Sequence, residues 1–300
     1  MEKMGFAMDK KKIMLFLGLA FGISWTFGLI VFLSGQIAGS PELIPNSGIT
    51  LALILTASGY MWGPALAHIL TRLITRSDWK NIHLKPEIRS SWKFLLAGWF
   101  VPGLLTILGS VIFFIIMPSY YDPALTYISA QLEGSGSALS PLTVILSQTV
   151  IALFISAPIN APATFGEEFG WRGFLLPALL PLGKRKALLL SSAIWGVWHW
   201  PLVWMGHNYG LDYWGYPWLG LAATVWFTVS IGIFIGWLSL KGRSVWPAVF
   251  AHGALNGLAA IGMLFLKGTP PTLLGPTPAG LLGVLPFTLV SVWIFHKLDD

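Results

Sequence analysis

The 300-residue sequence has no cysteine. That absence excludes thiolate nucleophiles, Cys-ligated zinc, iron–sulfur clusters and a disulfide framework. Charge is scarce as well: Asp, Glu, Lys and Arg together make up 10% of the chain, where a soluble domain carries about 25%. With 55% of residues hydrophobic, too few charges remain to cover a surface that faces water on all sides. A soluble fold is excluded, and an integral membrane protein whose partner is the lipid bilayer is the expectation. The net charge of +6 comes from 18 Lys+Arg against 12 Asp+Glu. In such a chain the placement of the charges matters more than their sum, and no nucleic acid partner is expected. Neither a solenoid-period repeat nor a coiled-coil heptad is present.

A hydrocarbon core of about 30 Å needs roughly 20 apolar residues of helix. Apolar stretches run Ile13–Leu33, Ile49–Ile74, Phe94–Met117, Leu142–Ala163, Ala187–Met205, Trp218–Leu240, Val245–Leu266 and Gly280–Phe295. The first has the length of a retained helix and no convincing cleavage site after it. Phe169–Leu182 is too short to cross alone, and reads as a re-entrant or interfacial helix or as an extension of the fourth span. The expected fold is therefore all-α: a polytopic membrane protein of eight transmembrane helices plus a short re-entrant or interfacial helix.

Basic residues orient this plan. Lys3, Lys10, Lys11 and Lys12 precede the first span; Arg72, Arg76, Lys80, Lys85, Arg89 and Lys93 lie at or between the ends of the second and third. Lys184, Arg185 and Lys186 precede the fifth span, Lys241 and Arg243 join the sixth to the seventh, and Lys297 follows the eighth. With eight spans, 16 of the 18 basic residues share one side, with Lys267 opposite and Arg172 within the chain's apolar part. The positive-inside rule then puts both termini in the cytoplasm of a multi-pass protein in a prokaryotic-type plasma membrane. The opposite loops, Gln36–Gly48, Pro118–Ser140, His207–Pro217 and Gly268–Ala279, are rich in Gly, Pro, Ser and aromatics.

Ionisable groups in apolar spans cost several kcal/mol unless paired or facing a wet cavity, which makes each a candidate for function. They collect at Glu167, Glu168 and Arg172 where the fourth span ends, at His199 in the fifth, and at His252 and Asn256 in the seventh. Glu168 and Arg172 are four residues apart with the acid N-terminal, the favoured order for a pair on one helical face. Glu167 then points about 100° away, given 3.6 residues per turn, without a local partner, as suits a general base acting on water. The competing structural reading has both acids paired with Arg172 or with loop lysines. His252 and Asn256 are one turn apart and present two donors to a developing oxyanion; the competing reading makes them interhelical glue. Gly253 and Gly257 form a small-xxx-small pair that lets a neighbouring backbone approach. Pro201 cannot donate to the carbonyl of Val197, so the helix kinks or ends beside His199. Taken alone, His199 reads as a packing residue. His83, His207 and His296 fall in loops or at a span end, and His68 reads as a wet or snorkelling residue. Counting from the basic ends at about 1.5 Å per residue sets His252 roughly 10–12 Å deep and His199 roughly 16–18 Å. One cavity in the cytoplasmic half accommodates all three groups.

Glu-Glu-x-x-x-Arg at Glu167–Arg172, aromatic-x-x-x-His at Trp195–His199 and His-x-x-x-Asn at His252–Asn256, on successive membrane helices, resemble the CPBP family. These are the CAAX-protease and bacteriocin-processing proteins, including Rce1-type prenyl endopeptidases and lysostaphin-resistance-like proteins. Trp195 departs from the Phe or Tyr usual in that family. The resemblance implies hydrolysis of a peptide bond in a membrane-anchored polypeptide, prenylated or not, with Glu167 and His199 activating water and His252 and Asn256 stabilising the oxyanion. Glu168 and Arg172 support them. It also leaves open a divalent metal such as zinc on Glu167, His199 and His252; no His-Glu-x-x-His helix is present and the sequence does not choose, with metal-free glutamate catalysis the favoured expectation. On this reading residues 1–140 are N-terminal membrane helices, 141–267 the catalytic core and 268–300 a Pro-rich loop and last span of one membrane domain. A non-catalytic immunity or scaffold factor is the alternative; a proton- or metal-coupled transporter would call for inverted repeats that the sequence lacks.

Overall fold

The computed structural model describes residues 8–79, 82–86, 88–135 and 138–298; Lys3 and Lys80 lie outside them. In chain order the helices are α1 (Lys10–Leu33), α2 (Leu51–Leu55), α3 (Gly63–Ile74), α4 (Ile88–Ile116), α5 (Thr126–Ser135), α6 (Pro141–Gly170), α7 (Leu176–Leu179), α8 (Lys184–Trp198), α9 (Trp200–Trp204), α10 (Trp218–Gly242), α11 (Trp246–Leu258) and α12 (Leu285–Lys297). Among the described residues extended pairing is limited to two isolated bridges, Glu42 with Thr50 and Tyr121 with Leu266. The fold is all-helical, as expected from composition.

Six helical stretches are long and apolar enough to cross a membrane: Lys10–Leu33, Leu51–Ile74, Ser91–Ile116, Pro141–Leu182, Trp218–Gly242 and Trp246–Phe265. Two of the eight expected spans are shorter than that. α8 stops at Trp198 after 15 residues, because Pro201 has no N–H for the carbonyl one turn back; the chain tightens so that His199 N donates to Gly196 O at 3.1 Å, and restarts as α9. α12 has 13 residues. The segment ahead of it is held in a turn: a Cβ on Gly283 would sit 1.9 Å from the carbonyl oxygen of Thr277. Both short helices still pack along α10: α8 antiparallel, with Leu188 meeting Gly236, and α12 parallel, with Ser230 bonding Thr288 at 2.9 Å.

Phe169–Leu182 is not a separate re-entrant or interfacial helix. It continues α6 through a π-helical turn at Trp171–Leu175, giving one stretch of 42 residues from Pro141 to Leu182. The reason is packing: residues 166 to 176 are all buried. Phe16 of α1 meets Trp171 edge-on at 5.7 Å and stacks on Phe174 at 4.6 Å. Nothing in that stretch is left to lie on an interface.

The bundle's exterior is apolar, with Leu29, Leu33, Leu73, Ile115, Ile159 and Leu289 each more than half exposed. Between lipid and such a surface there is no hydrophobic drive for helices to associate, so close backbone approach and hydrogen bonds must hold them. α6 and α11 do this along their length. A Cβ on Gly257 would lie 2.0 Å from Ser156 and one on Gly253 2.7 Å from the Ala157 carbonyl; Asn160 donates to Gly253 O at 3.2 Å and Thr164 to Val249 O at 3.1 Å. The neighbour that Gly253 and Gly257 admit is thus α6. On its other side, Gly170 packs on Pro64 of α3, where a Cβ would approach to 2.4 Å. His68 is buried rather than wet, bonding Phe169 O through Nδ1 at 2.8 Å and accepting from Arg72 Nε at 2.6 Å.

The chain reversals collect Lys10–Lys12, Arg72, Arg76, Lys93, Lys184–Lys186, Lys241, Arg243 and Lys297 at one end of the bundle. Contacts tie these helix ends together: Arg185 Nε donates to Phe295 O at 3.0 Å, and Val245 N to His83 O at 2.9 Å. Lys267 is at the far end.

Candidate active site

Glu167 and Glu168 lie in the part of α6 clamped between α3 and α11. Their side chains take different directions, as 100° of helical rotation requires. Glu168 is fully buried and Arg172 NH1 meets it at 2.9 Å, the i, i+4 pair expected. The same carboxylate meets Nδ1 of His252 on α11, also at 2.9 Å, a bridge that spacing alone did not reveal. Removing one member of such a buried network strands a charge, at a cost of about 3–5 kcal/mol.

Glu167 has a partner too. Trp195 Nε1 donates to Glu167 Oε2 at 2.7 Å. The same indole ring lies under the Arg172 guanidinium, 4.6 Å from its centroid, and the carbonyl of Trp195 meets Nδ1 of His199 at 2.8 Å. A carbonyl only accepts, so Nδ1 of His199 carries the hydrogen and, in the neutral ring, Nε2 keeps a lone pair. Trp195 therefore touches both acid–base candidates and the cation between the acids.

His199 sits at the break between α8 and α9. The carbonyl of Trp198, freed from the helix there, accepts from the Tyr60 hydroxyl and from Trp25 Nε1, the latter at 3.1 Å. Tyr60, Trp198 and Trp171 form a buried aromatic cluster behind the histidine, with Tyr60 and Trp198 centroids 4.5 Å apart.

Glu167, His199, His252 and Asn256 line one cavity of about 350 Å³. Glu168 and Arg172 are behind its wall. Tyr60, His207 and Asn208 also line it, and sequence reading had placed none of them there. For Tyr60 the signal was a hydroxyl inside an apolar span. His207 and Asn208 carried none, because they come from a loop whose fold is set by tertiary contacts. Exposure rises across the cavity: Glu167 is 2% and His252 5% exposed, His199 is half-buried, and Asn256, His207 and Asn208 are exposed. The exposed lining residues thus come from the end of α11 and the loop after α9, while His252 lies only two turns into α11 from its basic end.

Among the described residues, no group of three or more His, Asp or Glu side chains is arranged to hold a metal ion. His199 and His252 each commit Nδ1 to a protein oxygen, and Glu167 commits one oxygen to Trp195.

Two glutamates, two imidazoles and an amide on α6, α8 and α11 coincide with the segment that comparison with known proteins picks out. Residues 146–258 match the Rce1-like family of type II CAAX prenyl endopeptidases. The Rce1-like segment runs from the second turn of α6 to the end of α11 and contains all three motifs. A curated relative, CAAX prenyl protease 2 of Methanococcus maripaludis, is 36% identical over 100 residues, which is 31% of this chain and 35% of that protein. The match therefore spans about a third of that relative's length. The resemblance read from the motifs is shown for the helices that carry them, and with its apolar helices the chain is an integral membrane protein.

Proposed function

We propose that this protein is an intramembrane endopeptidase that hydrolyses a peptide bond in a membrane-anchored polypeptide. The name of the Rce1-like family adds prenylated chains to the substrate classes. The single observation that carries the reading is the shared cavity of Glu167, His199, His252 and Asn256. Ionised Glu167 takes a proton from a water molecule whose other hydrogen is accepted by Nε2 of His199. The oxygen attacks the carbonyl carbon of the scissile bond. The oxyanion that forms accepts hydrogen bonds from the side-chain amide of Asn256 and from Nε2–H of His252 in its imidazolium form, whose Nδ1–H is held by the Glu168 carboxylate. As the C–N bond breaks, Glu167 returns its proton to the leaving amine. Glu168 keeps His252 oriented with Nε2 toward the cavity, and Arg172 balances the second carboxylate. Residues 141–267 form the core of this machinery. The collected basic residues support a cytoplasmic position for that end of the bundle and for both termini.

Glu167→Gln keeps the shape and removes the base. Loss of general base catalysis costs about 10²–10⁴-fold in rate. The test is cleavage of farnesylated and of acylated peptides by the protein reconstituted in liposomes. Wild type releases product from at least one class and Glu167→Gln reduces it by that factor; undiminished cleavage by the variant removes Glu167 from this role. Absence of cleavage of either class by wild type favours a binding protein instead.

A further inference from the structure

Two polar residues on the cavity wall have no part in activating water or holding the oxyanion. His207 and Asn208 follow α9 in a short loop, and both line the cavity together with His199 and Asn256. The loop is built to hold them there. Gly206 and Asn208 take left-handed backbone, with φ 93° and 72°, and His207 N donates to Leu202 O at 3.0 Å, which folds the chain back on α9. The next residue, Tyr209, is buried at 1% exposed. Its hydroxyl donates to Ala279 O at 2.9 Å and its carbonyl accepts from Thr272 Oγ1 at 2.6 Å. The Pro-rich segment thus pins the loop, and its own Thr277, Pro278 and Ala279 continue the same wall. The His207 imidazole comes within electrostatic reach of that of His199. Among the described residues, no hydrogen bond engages the side chain of His207 or of Asn208.

A peptide bond open to attack has left any helix it belonged to, so the N–H and C=O groups on either side of it need partners. Leu202, Phe227 and Leu255 make much of the wall apolar, and an amide left unpaired against such a surface pays its desolvation in full. A carboxamide carries an acceptor and two donors, and a neutral imidazole one of each, which together complement a peptide unit. Among the described residues no Lys or Arg lines the cavity, so the match is to an uncharged group. A left-handed φ by itself accounts for asparagine at 208, but not for a histidine beside it on the same wall. We propose that His207 and Asn208 form a main-chain binding subsite, pairing with the N–H and C=O of a residue that flanks the scissile bond, and that the Pro-rich segment sets its position. The word scissile rests on the hydrolase reading above; the binding of an extended peptide does not.

Asn208→Gly removes the side chain and keeps the backbone, since glycine adopts the same left-handed φ; His207→Phe keeps a ring without hydrogen-bonding atoms. The probes are a farnesylated and an acylated peptide carrying a fluorophore, each also made with a single N-methyl group at successive amides. Affinity is read by fluorescence anisotropy in detergent, in a Glu167→Gln background where the peptide stays whole, and KM and kcat with Glu167 intact. The expected result is a rise in Kd and in KM of about tenfold for either variant, the size of one good hydrogen bond, with kcat within about twofold and the unfolding midpoint unmoved. N-methylation at one position weakens binding to the parent by the same factor and leaves binding to Asn208→Gly as it was, as coupled partners do. Equal affinities of parent and variants, N-methyl losses that add to that of Asn208→Gly at every position, or no binding of either peptide by the parent overturns the subsite. Binding with this coupling but without cleavage sinks the hydrolase reading and leaves the subsite standing; cleavage without the coupling does the reverse.

Discussion

At the scale of single residues, the side chain with the most connections in the site is Trp195. It donates to Glu167, stacks with Arg172 and through its carbonyl fixes the tautomer of His199. The related family's usual Phe has no N–H to offer, so the tryptophan here is more than an exchange of one ring for another. A hydrogen bond to a charged group is worth about 1.5–3 kcal/mol. Trp195→Phe keeps the ring over Arg172 and lets one oxygen of Glu167 swing free. The expected outcome is a fall in kcat of about ten- to hundredfold at little changed KM, if the bond positions the base in the transition state. Steady-state cleavage in liposomes checks it, and an unchanged kcat would make the bond ornamental. Sequence spacing disclosed the Glu168–Arg172 pair because four residues of helix bring those atoms together by themselves. It left Glu167 without a partner and Glu168 with one too few, since Trp195 is 28 and His252 84 positions away. Those contacts depend on how helices pack, which local spacing does not encode.

Among elements, the break between α8 and α9 matters most. Pro201 and the break beside His199 are visible in the sequence, but the carbonyl expected to be freed, that of Val197, is met by His199 N–H. The one that needs other partners is that of Trp198, and its donors are not visible, because Tyr60 and Trp25 come from the first two membrane segments. These two donors hold the backbone of the residue preceding His199, which makes Tyr60 a positioning residue. Tyr60→Phe removes one donor and keeps the ring packed, tilted, against Trp198. The net loss in stability is about 1 kcal/mol, the worth of an ordinary hydrogen bond. A merely structural bond would change the unfolding midpoint alone; a positioning one also lowers kcat with KM held, and comparison of the two readouts decides between them. The same break explains the span count. Apolar composition ran on through Met205 and from Gly280, while the proline at 201 and the tight turn around Gly283 shortened the helices themselves.

The whole molecule is larger than its recognisable part. Residues 146–258 carry the family resemblance, yet much of what fixes the site lies outside them. Tyr60 and Trp25 hold the His199 break, Phe16 packs on Trp171, and α3 meets α6 at Gly170. α4 flanks α11, where a Cβ on Gly98 would come within 2.4 Å of the Pro247 carbonyl. The core residues 141–267 alone would therefore keep their long apolar helices, and so insert, but lack the surfaces that set His199 and α11. Helices that insert independently can still associate afterwards within the bilayer, through small-residue contacts and hydrogen bonds of the kind α6 uses on both sides. Expression of 141–300 alone should give a membrane-inserted polypeptide that trypsin degrades readily in detergent and that cleaves no peptide. Co-expression with 1–140 should restore resistance and activity, because no loop between α5 and α6 has to be intact for α1, α3 and α4 to reach their places. Full activity from 141–300 by itself would show that Tyr60 and Trp25 are dispensable and that the recognisable segment is a self-sufficient unit.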